Sequence, residues 1–104
     1  MAFNGSEGAS INLDDAAALT AEYRKLNSGA TKGHFIGRDL LGSILNQSGC
    51  MGIRVYYGID SNGAKHLIFV GADSTENDMV NGVIADFCAP CPNRCGSANS
   101  LNGL

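Results

Sequence analysis

The residues best suited to chemistry are the four cysteines. Three of them crowd into Cys88-Ala89-Pro90-Cys91-Pro92-Asn93-Arg94-Cys95, and Cys50 stands apart. Four thiolates can make a tetrahedral zinc site, because a C-x-x-C turn sets two sulfurs at neighbouring corners and a third, four residues on, reaches another. Cys50, Cys88, Cys91 and Cys95 are therefore the metal-ligand set, with His34 or His66 able to substitute and zinc as the cofactor to test. A disulfide suits the same residues, since Pro92 fits the second position of a type I turn that folds Cys91 back toward Cys95. Unbonded structural thiols are the third reading, and the spacing leaves all three open. A thioredoxin-type site does not fit: its first Cys belongs at a helix N-terminus, and Pro92 with the Gly, Ser and Asn residues that follow cannot continue a helix there.

The other candidates are weaker. His34 and His66 stand alone, without a nucleophile or carboxylate at a spacing that implies a catalytic site. Asp73, Thr75, Asn77 and Asp78 faintly resemble a calcium loop, but the Gly at its sixth position and the Glu at its twelfth are missing, so a solvated acidic turn is expected. No phosphate loop or dinucleotide fingerprint occurs. No catalytic or cofactor-binding residue is assigned.

The elements that position these residues centre on Gly52 to Asp73. Two apolar runs flank Asp60-Ser61-Asn62-Gly63, and Asn-Gly favours a type I′ two-residue turn. With that turn, Tyr57 faces Ile68, Val55 faces Val70, Ile53 faces Ala72 and Asp60 faces Lys65. Tyr56, Leu67 and Phe69 then share the other face, which is the expected interface. Helices are expected over about 13–28, capped by Asn12 with Ala16, Leu19, Tyr23 and Leu26 turned to the core, and over about 38–47, with Gly49 as C-cap. Gly33 to Gly37 reads as a short extended piece carrying Phe35 inward. Residues 74–87 leave two patterns open: a helix begun at Ser74 or Thr75, which Met79, Val80, Val83, Ile84 and Phe87 fit, and irregular or short-strand structure around the turn dipeptide Asn81-Gly82, toward which the reading leans.

The expected fold is α+β: a small antiparallel sheet built on the 52–73 hairpin, with both helices packed on one face. Residues 1–10 form a flexible arm, 11–95 a single domain and 96–104 a flexible tail. At 104 residues the chain is one domain, and its net charge of -3 gives no footprint for nucleic acid or an anionic membrane. No run approaches the ~20 apolar residues of a membrane span, and no secretory leader is visible, so the expected address is the cytoplasm.

The run GRDLLGSILNQSGCMGIRVYYGIDSNGAKHLIFVGAD, followed by NGVIADF and CPNRC, resembles a group of small uncharacterised bacterial proteins with the order helix, Gly-Cys, Gly-Ile-Arg strand, hairpin and C-P-x-x-C. The resemblance covers Gly33 to Cys95 and implies a joint role for Gly49-Cys50 and Cys91 to Cys95, without an attached activity. The functional expectation is a non-enzymatic domain that self-associates or binds a protein partner; the alternative is a zinc-binding or thiol/disulfide redox protein.

Overall fold

The computed structural model describes residues 2–104. It has two helices, α1 (Leu13–Leu26) and α2 (Arg38–Leu45), and five strands, β1 (Gly33–Phe35), β2 (Gly52–Ile59), β3 (Lys65–Ala72), β4 (Ile84–Ala85) and β5 (Ala89–Cys91). The strands form two antiparallel sheets, β1-β5 and β2-β3-β4, so the fold is α+β. The elements fall into two compact units: Ile36–Cys88 with the segment up to Glu7, and Gly8–Phe35 with Ala89–Leu104. No helix among the described residues is long and apolar enough to cross a membrane.

The first unit is the β2-β3-β4 sheet with α2 against it. The hairpin forms where expected, but its register differs by one residue. Ile53 faces Gly71, Val55 faces Phe69, Tyr56 faces Ile68, Tyr57 faces Leu67 and Ile59 faces Lys65. Asp60 decides this. Its carboxylate accepts the amides of Asn62 (2.8 Å) and Ala64 (3.0 Å), its own amide donates to the Ala64 carbonyl and its carbonyl accepts from Gly63. Only Gly63, at φ 81°, takes positive φ. A type I turn with a glycine bulge therefore replaces the two-residue type I′ turn, and the extra residue shifts every pair. Because a one-residue slip exchanges faces, Tyr56 lies on the face opposite Leu67 and Phe69, and the expected three-residue interface is not one surface.

The same device recurs at the far end of β3. Asp73 accepts the amides of Thr75 and Asn77 (both 3.0 Å) and the Thr75 hydroxyl, while the Asp73 amide donates to the Asn77 carbonyl. Residues 73–77 thus repeat 60–64, with Glu76 at φ 71° in the place of Gly63. A side chain at positive φ costs roughly 1 kcal/mol. Glu76→Gly is expected to raise stability by up to about 1 kcal/mol, seen as a later urea midpoint at unchanged slope; an earlier midpoint would contradict the strain.

The core is small: Ile44 of α2 is 0% exposed and packs with Phe69 and Ala85, ringed by Ile36, Cys50, Ile53, Leu67, Val83 and Cys88. Gln47 ties the helix end to the approach to β4, its side chain accepting from the Val83 amide at 2.8 Å and donating to the Ile44 carbonyl at 2.9 Å. Of the two patterns open for 74–87, the structure has turns and the short strand β4, without a helix.

In the second unit α1 is capped as expected, Asn12 accepting from the Asp15 amide, but no residue of the helix is buried. Leu19 and Leu26 are exposed, and the half-buried residues are Ala16, Ala17, Thr20 and Arg24. The expected apolar stripe is therefore not the covered one. The helix instead serves the carbonyls of the 97–104 loop: Arg24 donates to Leu101 at 2.6 Å, and Lys32, beyond the helix, to Asn102 at 2.7 Å. Both helices were expected on the hairpin; α1 groups with β1 and β5. Phe35, expected inward, is exposed.

Candidate functional site

Strand β2 is the edge of its sheet, and its side chains divide into two sets. The set shared with Arg54 and Tyr56 is held down. Both side chains reach across β3 to the Asp78 carboxylate, the Tyr56 hydroxyl and the Arg54 guanidinium each donating to one oxygen. Arg54 also donates to the Glu76 carbonyl at 3.2 Å, and the Phe3 ring lies 5.4 Å from its guanidinium carbon. The Tyr56 hydroxyl, and then Arg54, hold the Asp78 carboxyl below the usual carboxylate range. Beside this cluster, a groove of about 400 Å³ opens between Phe3, Glu7, Ile53, Arg54 and Val55.

The other set is open. Val55, Tyr57 and Ile59 are 40%, 91% and 74% exposed. They share a face with the buried Phe69, but α2 has only eight residues and at 1.5 Å per residue spans about 12 Å. It covers the Ile53 and Phe69 end of the sheet and leaves the turn end bare.

A third arrangement lies at the turn. The ring of His66 sits between two carboxylates, Nδ1 at 2.9 Å from Asp86 and Nε2 at 2.9 Å from Asp60, with the Phe87 ring edge-on at 6.2 Å. Both ring nitrogens donate only in the imidazolium, so this geometry favours the charged form. Asp86 first, then Asp60, raises the His66 pKa, and His66 is the largest cause lowering that of Asp60. Neither nitrogen is available as a base toward a substrate. The arrangement is an ionic clamp joining the turn to the segment after β4. A raised pKa contributes stability that is fully present below the unfolded value near 6.5 and is lost as pH rises through the folded value. The His66 ring resonances are expected to titrate above about 6.5, and Asp86→Asn to bring the midpoint down; a midpoint below 6.5 in the unaltered protein would contradict the clamp.

The cysteines separate. Cys91 and Cys95 form a disulfide with Cα atoms 4.7 Å apart. Cys50 and Cys88 are free and half-buried, both against the Ile44, Phe69 and Ala85 cluster. Burial pushes the Cys88 thiol up, and Asp86 adds to this. Among the described residues no group of three or more His, Cys, Asp or Glu side chains is placed to hold a metal ion. A zinc site drawing on Cys91 or Cys95 would first require reduction of their bridge.

The His66 clamp was not foreseen from the sequence, because Asp86 lies 20 residues beyond the histidine along an irregular path. Asp60 carried the available signal, as an Asp opening a turn habitually captures amides two residues on. No family model matches the sequence, and neither the curated proteins nor the solved structures contain a match.

Proposed function

We propose that this chain is a non-enzymatic module that self-associates through the open edge of β2. The observation that carries the reading is the exposure of Val55, Tyr57 and Ile59 on that edge. Edge strands are ordinarily blunted by charge, proline or a bulge within the strand, and Val55-Tyr56-Tyr57-Gly58-Ile59 has none of these. A strand that combines free backbone groups with large apolar side chains favours addition of another strand. Sedimentation equilibrium tests this: the unaltered chain is expected at a multiple of its 10.8 kDa mass. Tyr57→Lys, which places a charge on the edge without touching the core, is expected to weaken association at least ~10-fold. A chain that stays at single mass up to millimolar concentration contradicts the reading.

A second reading is favoured by the Cys91–Cys95 bridge. If the proposed address is the cytoplasm, a disulfide there is ordinarily a transient one, and the pair would act as a reversible thiol/disulfide couple. Rapid reduction of the bridge by a dithiol at neutral pH, with recovery on reoxidation, would support this, and resistance to reduction would exclude it.

A further inference from the structure

We infer that two copies of the chain join their β2 strands antiparallel about a two-fold axis at Tyr57, making one continuous six-stranded sheet. This rests on the self-association proposed above and specifies its geometry. The first constraint is the phase of the ladder. The Asp60 amide bonds the Ala64 carbonyl at 3.0 Å, and antiparallel partners alternate between bonded and non-bonded pairs. Asp60, Gly58, Tyr56 and Arg54 therefore turn their backbone groups toward β3, while Val55, Tyr57 and Ile59 turn theirs to the open edge. A residue on the axis meets its own copy, and the axis passes through a bonded or a non-bonded pair alike, so the phase admits Tyr56 and Gly58 beside Val55 and Tyr57.

Side chains choose among these axes. With the axis at Tyr57, Val55 meets Ile59 of the second copy, twice, on the face where both are exposed. On the opposite face Arg54 meets Asp60 of the second copy, also twice, pairing opposite charges. These side chains keep solvent exposure while bonded to Asp78 and His66, Arg54 at 32% and Asp60 at 36%. Gly58 falls opposite Tyr56, whose side chain is turned across β3 to Asp78, so no two bulky side chains meet at that pair. With the axis at Val55 instead, Arg54 would meet Tyr56 and the strands would overlap along the stretch that borders Phe3 and Glu7; at Tyr56 it would meet Gly58, and at Gly58 it would meet Asn62, so none of these axes pairs opposite charges. The pairing of opposite charges selects the Tyr57 axis, and the apolar pairs agree with it. Two-fold pairing also occupies the β2 edge of each copy, so association through β2 stops at a dimer.

Single cysteines in the full chain test the register. Tyr57 is 91% exposed, so Tyr57→Cys spares the core, and on the axis it brings two sulfurs within reach, since bonded antiparallel pairs sit about 5.5 Å apart at Cα. Under mild air oxidation, with the unaltered chain as control, Tyr57→Cys is expected to form a covalent dimer at least ~10-fold faster than Val55→Cys. A mixture of Val55→Cys and Ile59→Cys is expected to link where neither does alone. Rapid linking of Val55→Cys by itself, with Tyr57→Cys lagging in a chain that still dimerises, overturns the register and leaves self-association standing. No linking above the control in a chain of single mass removes both.

Discussion

Ile44→Ala is expected to cost the Ile36–Cys88 unit about 3 kcal/mol, read as an earlier urea midpoint. Ile44 is 0% exposed and is the only large side chain fully buried among the described residues. Its removal forfeits the transfer of its methyl groups from water and leaves a cavity that Phe69 and Ala85, held by the β3-β4 pairing, cannot close. Domains of this size hold only about 5–15 kcal/mol in total, so the substitution removes a large share. Leu45, the next residue, is 45% exposed, and Leu45→Ala is expected to cost less than about 1 kcal/mol. Equal losses at the two positions would show that the core does not converge on Ile44.

Cys91→Ser is expected to destabilise the unit of α1, β1 and β5 by about 2 kcal/mol. That unit has no fully buried side chain in α1, and its sheet pairs three residues with three. Covalent closure of a loop of four residues' separation therefore supplies much of its order, by restricting the unfolded chain. The Lys32 amide, which donates to the Cys91 carbonyl at 2.6 Å, and the Arg94 amide, which donates to that of Pro90 at 2.8 Å, should exchange with solvent faster by about 30-fold, the factor equivalent to 2 kcal/mol. Unchanged exchange at both amides would show that hydrogen bonding alone holds β5 to β1.

Local chemistry was legible in the sequence wherever it was decided locally. Asn12 as a cap, the helix beginning near Arg38 and the hairpin around Asn62-Gly63 all follow from residues close together in the chain, whereas over 74–87 a helical pattern and a turn dipeptide competed and local signals left the choice open. The register was not legible, because Asn-Gly serves a two-residue turn or a bulged three-residue one, and the choice passed to the Asp60 carboxylate. From that single shift came the misplacement of Tyr56 on the face of Leu67 and Phe69. For α1, periodicity showed which residues share a face but not which face is covered; the carbonyls of Leu101 and Asn102 drew Arg24 and Lys32 and left Leu19 and Leu26 outside. The His66 clamp depends on how the chain returns from β4 to the hairpin turn, which spacing along the sequence does not encode. The exposed edge follows from the length of α2, too short to reach Tyr57.

The most direct test of the β2 edge is amide exchange measured residue by residue at low and high protein concentration. Strand addition predicts that the amides of Val55, Tyr57 and Ile59 gain protection as concentration rises, while those of Tyr56 and Gly58, already turned to β3, change little. Equal and unchanging exchange of Val55, Tyr57 and Ile59 across the whole range would contradict the account and leave the edge of β2 facing water.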